Sequence, residues 1–287
     1  MPQIGTCKLC RREAEIQWSH LIPRAIYLDL RMPELPNPHP IIGLPEETGP
    51  RQEQAVARLL CRSCEQRFSA NGEKWILENG YRLKGPSRIF QALNTAKSVC
   101  QHSWTLYAGN EVDALDMDKI TYFGASVFWR ASAGSWEIAG KKRRLIDLGN
   151  RYQEDLRAFL AGEAAFPERM VLWSAVCRTA DPPPVISFPT GEIVGEGFAS
   201  YHRHTFDIPG LSYMLFVGNR IPDRVRELCI ATSVRRFIFF SPVEEIIQRN
   251  AASVFAKSPP SPSLRKMHRK ISGEELEVPW PRRPTSR

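Results

Sequence analysis

Two Cys-x-x-Cys pairs, Cys7/Cys10 and Cys61/Cys64, constrain this 287-residue chain more than any other feature. Each short pair can bend its backbone into a knuckle that turns both sulfurs towards one point. Together they offer four soft thiolates, the set that a tetrahedral metal ion takes with sulfur at about 2.3 Å. The long interval between the pairs only has to close in space, and closure costs little more as a loop lengthens. Zinc is the expected ion and iron the alternative. An ion saturated by four thiolates leaves no position for water and is structural, so any catalysis must lie elsewhere. The competing reading, four unrelated buried cysteines, fits poorly with two such pairs flanking one small module. A disulfide framework is not expected, because the first thirty residues lack the apolar core of a secretory signal and a reducing, cytoplasmic setting follows.

The remaining composition bounds the size and class of the fold. With 43% hydrophobic and 24% charged residues, the chain can bury a core, and its length suits two modest domains. No run approaches the roughly 18 apolar residues of a membrane-spanning helix, so no membrane partner is expected. The net charge of +8 favours a polyanionic partner such as nucleic acid, DNA ahead of RNA. Residues 258–287 hold seven Lys/Arg against three Asp/Glu, so half of that excess lies in a Pro-rich tail expected to be disordered. A run of that kind is more often a solvated face than a dedicated nucleic-acid site. Homo-oligomerisation stays open.

Periodicity divides the chain into three parts: a metal-binding module over 1–85, a helical plus α+β region over 86–257, and the tail. A strand is expected to end near His20, followed by an extended loop over 31–50 where six prolines discourage helix. Helix formers around Leu59-Leu60-Cys61 predict a helix within 52–68, and another is expected over 73–83, with an interruption at Asn71-Gly72. Apolar residues at helical spacing predict helices within 87–99, 113–133 and 145–162. Short apolar runs at 170–176, 185–188, 211–217 and 236–240 read as buried strands, and Ser241-Pro242-Val243-Glu244 should cap a helix reaching Phe255.

Between the cysteine pairs lies Trp18-Ser19-His20-Leu21-Ile22-Pro23. The order Cys-x-x-Cys, His followed by two aliphatics and Pro, then Leu-Cys-x-x-Cys with a polar residue directly after, resembles the zinc-containing His-Asn-His (HNH) nucleases. It is also similar to the related phage recombination endonucleases, which share their ββα-metal site. The resemblance covers residues 5–85 and implies an α+β chain that begins with a zinc-stapled, treble-clef-like ββα-metal module. It further implies zinc on Cys7, Cys10, Cys61 and Cys64, His20 as the general base that activates water against a phosphodiester, and one magnesium or manganese ion on the scissile phosphate. Family members usually carry Asp, Glu or His before the base as a ligand of that ion, and here the position holds Ser19. The residue after the last cysteine, commonly His or Asn, is Glu65, whose carboxylate can supply the anionic oxygen that Ser19 lacks. Val56 stands where the family often has an asparagine that supports the base, and Asn71 and Glu73 are weaker candidates for these duties. Bacterial nucleases with an appended domain are often restriction or phage-defence effectors, by analogy of fold alone.

Weaker signals complete the reading. His202-x-His204 places two imidazoles on one strand face with no third ligand in view, which favours packed or surface histidines. Lys141-Lys142-Arg143-Arg144 could meet phosphates or form a solvated loop before a helix. Trp129 and Trp136 around Arg130 suit a base-stacking platform or, more often, a core. Cys100, Cys177 and Cys229 read as small buried hydrophobes. Two functions follow: a metal-dependent endonuclease, or a zinc module that binds nucleic acid or protein and in which Ser19 marks loss of the catalytic ion.

Overall fold

The structure is a computed structural model that describes all residues except 1–2, 32–38, 44–47, 52–53, 82–84, 103, 139, 180–185, 196, 198–199, 243–258 and 274–287. The helix expected from Ser241 to Phe255 therefore falls mostly outside the described residues. The chain is α+β, as the periodicity indicated. It opens with β1 (Ile4–Thr6), β2 (Glu13–His20) and the short helix α1 (Arg24–Asp29), then a small hairpin of β3 (Ile41–Gly43) and β4 (Thr48–Pro50) inside the proline-rich segment. Strand β5 (Val56–Cys61) returns beside β2, antiparallel, with a bulge between Ile16 and Trp18. The chain then turns into α2 (Arg62–Phe68), continues through one π-helical turn over Ser69–Glu73, and ends that rod with α3 (Lys74–Asn79).

Two local expectations are corrected here. Residues 56–61 are a strand rather than part of a helix, because Ala57, Leu59 and Cys61 bury one side while the backbone pairs with β2. Cross-strand pairing outweighs the helix propensity of Leu-Leu. Asn71-Gly72 does not interrupt the following helix; the extra residue is absorbed as a π turn. A Cβ on Gly72 would lie 2.9 Å from the Phe123 backbone nitrogen, so the absent side chain is what lets another helix approach.

That other helix is α5. After Ser87 caps α4 (Arg88–Thr95), the chain forms β6 (Cys100–Gln101) and β7 (Thr105–Ala108), and Asp116 caps the seventeen-residue α5 (Met117–Ala133) through Lys119 N–H at 3.0 Å. A hairpin of β8 (Trp136–Ile138) and β9 (Lys141–Arg143) follows, then α6 (Asn150–Ala161). Next come β10 (Met170–Cys177), β11 (Ser187–Val194), β12 (Tyr201–Ile208), β13 (Leu211–Val217), α7 (Asp223–Arg226), β14 (Phe237–Ser241) and α8 (Pro262–Ser272). The first sheet has the order β1-β2-β5-β8-β9 and the second β11-β12-β13-β10-β14-β7-β6, antiparallel apart from the β10/β14 pair.

Helix α5 is buried along most of its length between these halves. On one side it meets the π turn, and on the other Phe123 and Phe128 pack edge-on against Phe206 while Gly124 lets Tyr213 approach. One cluster of buried apolar residues runs from Cys7 to Phe240, and β8 and β9 extend the first sheet from beyond residue 85. The core thus crosses the expected boundary at 85 without a break. The tail also differs from expectation: residues 262–272 are helical, with Ser261 accepting from Leu264 N–H at 3.2 Å, Pro262 in the first turn and Gly273 closing the end at φ 76°.

Candidate metal centre and the adjoining polar site

The four cysteines meet because the chain twice reverses at the same end of the first sheet. Cys7 and Cys10 lie in the turn between β1 and β2, closed by Arg11 N–H to the Cys7 carbonyl at 2.8 Å, with Arg11 in the left-handed region at φ 61°. Cys61 ends β5 and precedes the first residue of α2, and Cys64 lies in that helix's first turn. Lys8 N–H reaches the Leu59 carbonyl at 3.1 Å and ties the two turns together. All four sulfurs lie within 4.8 Å of one another, with Cys10 Sγ and Cys61 Sγ 3.9 Å apart. A tetrahedron with metal–sulfur bonds near 2.3 Å has sulfur–sulfur edges of about 3.8 Å. The cluster can therefore hold a metal ion.

The electrostatics point the same way. Burial pushes the Cys7 and Cys64 thiols up. Burial also opposes ionisation of Cys61, but hydrogen bonds from Ser63 and the Cys64 backbone outweigh it and bring that thiol down to about 6. Four thiolates this close would repel one another unless a cation sits among them. Cys177 and Cys229 are buried far along the chain and Cys100 is half-buried, so they take no part. Among the described residues, no other group of three or more His, Cys, Asp or Glu side chains converges closely enough to hold an ion.

One residue beyond Cys64, a different kind of site begins. Ser19 is fully buried on β2, and its hydroxyl donates to Glu65 Oε1 on α2. His20 follows at the end of the strand, opposite Val56 on β5. Its imidazole is half-buried; burial, then the positive charges of Arg24 and Arg130, hold its pKa below the usual value. His20 is therefore neutral at physiological pH, the state a base requires. Burial raises the Glu65 carboxyl, against the Ser19 hydrogen bond and the Arg130 charge.

Arg130 was read from sequence as part of an aromatic platform or core. The structure buries Trp129, Arg130 and Trp136 at 1%, 1% and 0% exposure, which rules out base stacking on these residues. Arg130 Nη1 donates to the His20 carbonyl at 2.8 Å, and Nη2 pairs with Glu73 Oε1 at 2.8 Å. Glu73 thus joins the site through Arg130. Asn71 does not, since its amide donates to the Arg67 carbonyl. Gln54, whose side chain adjoins the His20 imidazole, was not singled out from sequence, and nothing in its local spacing marks it.

His202 and His204 stack on β12 with ring centroids 6.2 Å apart, His202 exposed and His204 buried, and no third ligand joins them among the described residues. The basic run forms edge strand β9 with Lys141 and Lys142 exposed. Two cavities are described, one of about 270 Å³ beside Cys7 and Arg157 and one of about 620 Å³ beside Trp75 and Asp118; neither is lined by His20 or Glu65. Among the described residues no helix is long and apolar enough to cross a membrane. No family model, curated protein or solved structure matches the chain.

Proposed function

We propose that this protein is a metal-dependent endonuclease that hydrolyses phosphodiester bonds of nucleic acid, DNA ahead of RNA, from a ββα module stapled by structural zinc on Cys7, Cys10, Cys61 and Cys64. The observation that carries the reading is the hydrogen bond from Ser19 on β2 to Glu65 on α2, one residue along the strand from His20. It brings together a hydroxyl and a carboxylate at the two positions where the family usually holds its catalytic ion. One carboxylate and a hydroxyl suit magnesium or manganese, which commonly completes its shell with water and substrate phosphate oxygens. When bound, such an ion neutralises charge on the phosphate and leaving oxygen.

The chain's own residues do the rest. The His20 ring nitrogen takes the proton from the attacking water, a contribution typically worth 10²–10⁴-fold. Arg130 fixes the His20 backbone by holding its carbonyl, and its own charge is balanced by Glu73. Glu65 would hold such an ion through its carboxylate, with the Ser19 hydroxyl as its present partner.

A second reading, a zinc module that binds nucleic acid or protein without catalysis, draws on one observation. Neither described cavity opens onto His20 or Glu65. Incubating the purified protein with plasmid DNA and with RNA, in magnesium, in manganese and in chelator, separates the two. Cleavage that requires the added ion supports the nuclease; binding with no cleavage under any ion supports the alternative.

A further inference from the structure

Helix α8 combines a strongly charged face with a defined seat in the fold. Four of its eleven residues are Arg or Lys and none is acidic. Arg265, Lys266, Arg269 and Lys270 fall at i, i+1, i+4 and i+5, which gathers them on one side of the helix; Leu264, Met267 and Ile271 fall on the other. Met267 is 7% exposed and Leu264 half-buried, so the apolar side is largely turned towards protein. The start of the helix rests on β4, where a Cβ on Gly49 would lie 2.1 Å from Ser261 Oγ. Glycine at 49 is what admits the helix cap.

This seat matters because β4 belongs to the insertion between His20 and β5. Gln54, the neighbour of His20, lies five residue steps along the chain from Gly49, and an extended chain of that length spans at most about 18 Å. An eleven-residue helix adds about 16 Å. The whole reach is thus about one turn of duplex DNA, roughly 34 Å, along which the duplex carries one negative charge every 1.7 Å or so.

We infer that the basic face of α8 is a docking surface for the phosphate backbone of nucleic acid, held by the hairpin insertion within one duplex turn of His20. The inference rests on the proposed function for its choice of partner. An acidic membrane surface is the rival occupant of a basic amphipathic helix, but such a helix inserts its apolar side. Here that side is committed to the protein, and Ile271 at 58% exposure is its one open member.

The test is binding of a fluorescent 30-base-pair duplex, without added divalent metal, across a series of salt concentrations. Compared are the full chain, the triple variant Lys266→Gln/Arg269→Gln/Lys270→Gln, and the charge-keeping Lys266→Arg/Lys270→Arg. Loss of three phosphate contacts should flatten the slope of log K against log salt by about 2.7 and weaken binding on the order of 10²-fold near 0.1 M salt. The charge-keeping variant should bind as the parent does. An unchanged slope and affinity in a triple variant with the parent's circular dichroism would overturn the inference. So would loss of binding to phosphatidylserine vesicles with duplex binding intact. Failure of the nuclease reading looks different: the duplex binds through α8 but stays uncut in magnesium or manganese.

Discussion

The four-cysteine cluster and the Ser19/His20/Glu65 site share a sheet and the helix α2, where Cys64 and Glu65 are adjacent, yet they are built on opposite rules. The cluster is complete in itself, with four identical donors converging within 4.8 Å from two turns tied to each other. The polar site is incomplete: one carboxylate meets one hydroxyl, His20 follows on the strand, and Arg130 reaches the His20 carbonyl from α5, 110 residues further along the chain. A closed ligand set favours stability and an open one leaves room for substrate, so removing a residue from each should have different consequences.

The largest difference is expected in folding. Cys61→Ser should release the metal and unfold the first sheet, because binding energy in such centres is largely folding energy, of order 10 kcal/mol. Elemental analysis with circular dichroism checks this. Protein purified without chelator that contains neither zinc nor iron would break the comparison at its first term.

Next in size is the support of the polar site. Arg130→Met removes a buried guanidinium that serves the His20 carbonyl and Glu73, and stranding a buried partner costs about 3–5 kcal/mol. Urea denaturation should show that loss with metal content unchanged. If metal is lost as well, the two sites are one structural unit and the contrast fails.

The second sheet supplies a pH-dependent counterpart. His204 is buried beside Gly191, and burial, then the neighbouring His202, hold it down to about 4. Its pKa is lower in the fold than in the unfolded chain, near 6.5, so the unfolded state binds the extra proton between those values. Stability should be full above about pH 6.5 and fall as pH drops towards 4, by on the order of 3 kcal/mol. His204→Leu should flatten that part of the pH–stability curve. An unaltered curve would place the acid sensitivity elsewhere.

The smallest effect concerns the seam between the halves. Gly72→Ala pushes a methyl into the α5 backbone at Phe123 and should cost about 1–3 kcal/mol, lowering the melting temperature without altering metal content. A neutral or stabilising result would mean that the π turn relaxes freely and does not fix Glu73 against Arg130.

What could be read in advance divides along the same line. The cysteine cluster was legible because each pair is local, and Ser19, His20 and Glu65 were named through the resemblance, from their places between and after those pairs. Arg130 and Gln54 were not, since only the folded chain brings them to His20. Helix propensity also misled locally in two ways. Leu59-Leu60-Cys61 has the propensity of a helix, but its partner β2 decides its conformation. Helix α8 was hidden by Pro and Ser around it, although Ser261, Pro262 and Gly273 are the start and stop residues a helix uses.

The proposal that a catalytic site adjoins a structural metal centre is tested most directly by His20→Ala. Cleavage of plasmid DNA in magnesium or manganese is measured for parent and variant, with metal content and melting temperature determined on the same preparations. The account predicts a 10²–10⁴-fold loss of cleavage with bound metal and stability retained. A variant that cuts as well as the parent, contaminating nuclease excluded, or a parent that cuts nothing under either ion, would contradict it.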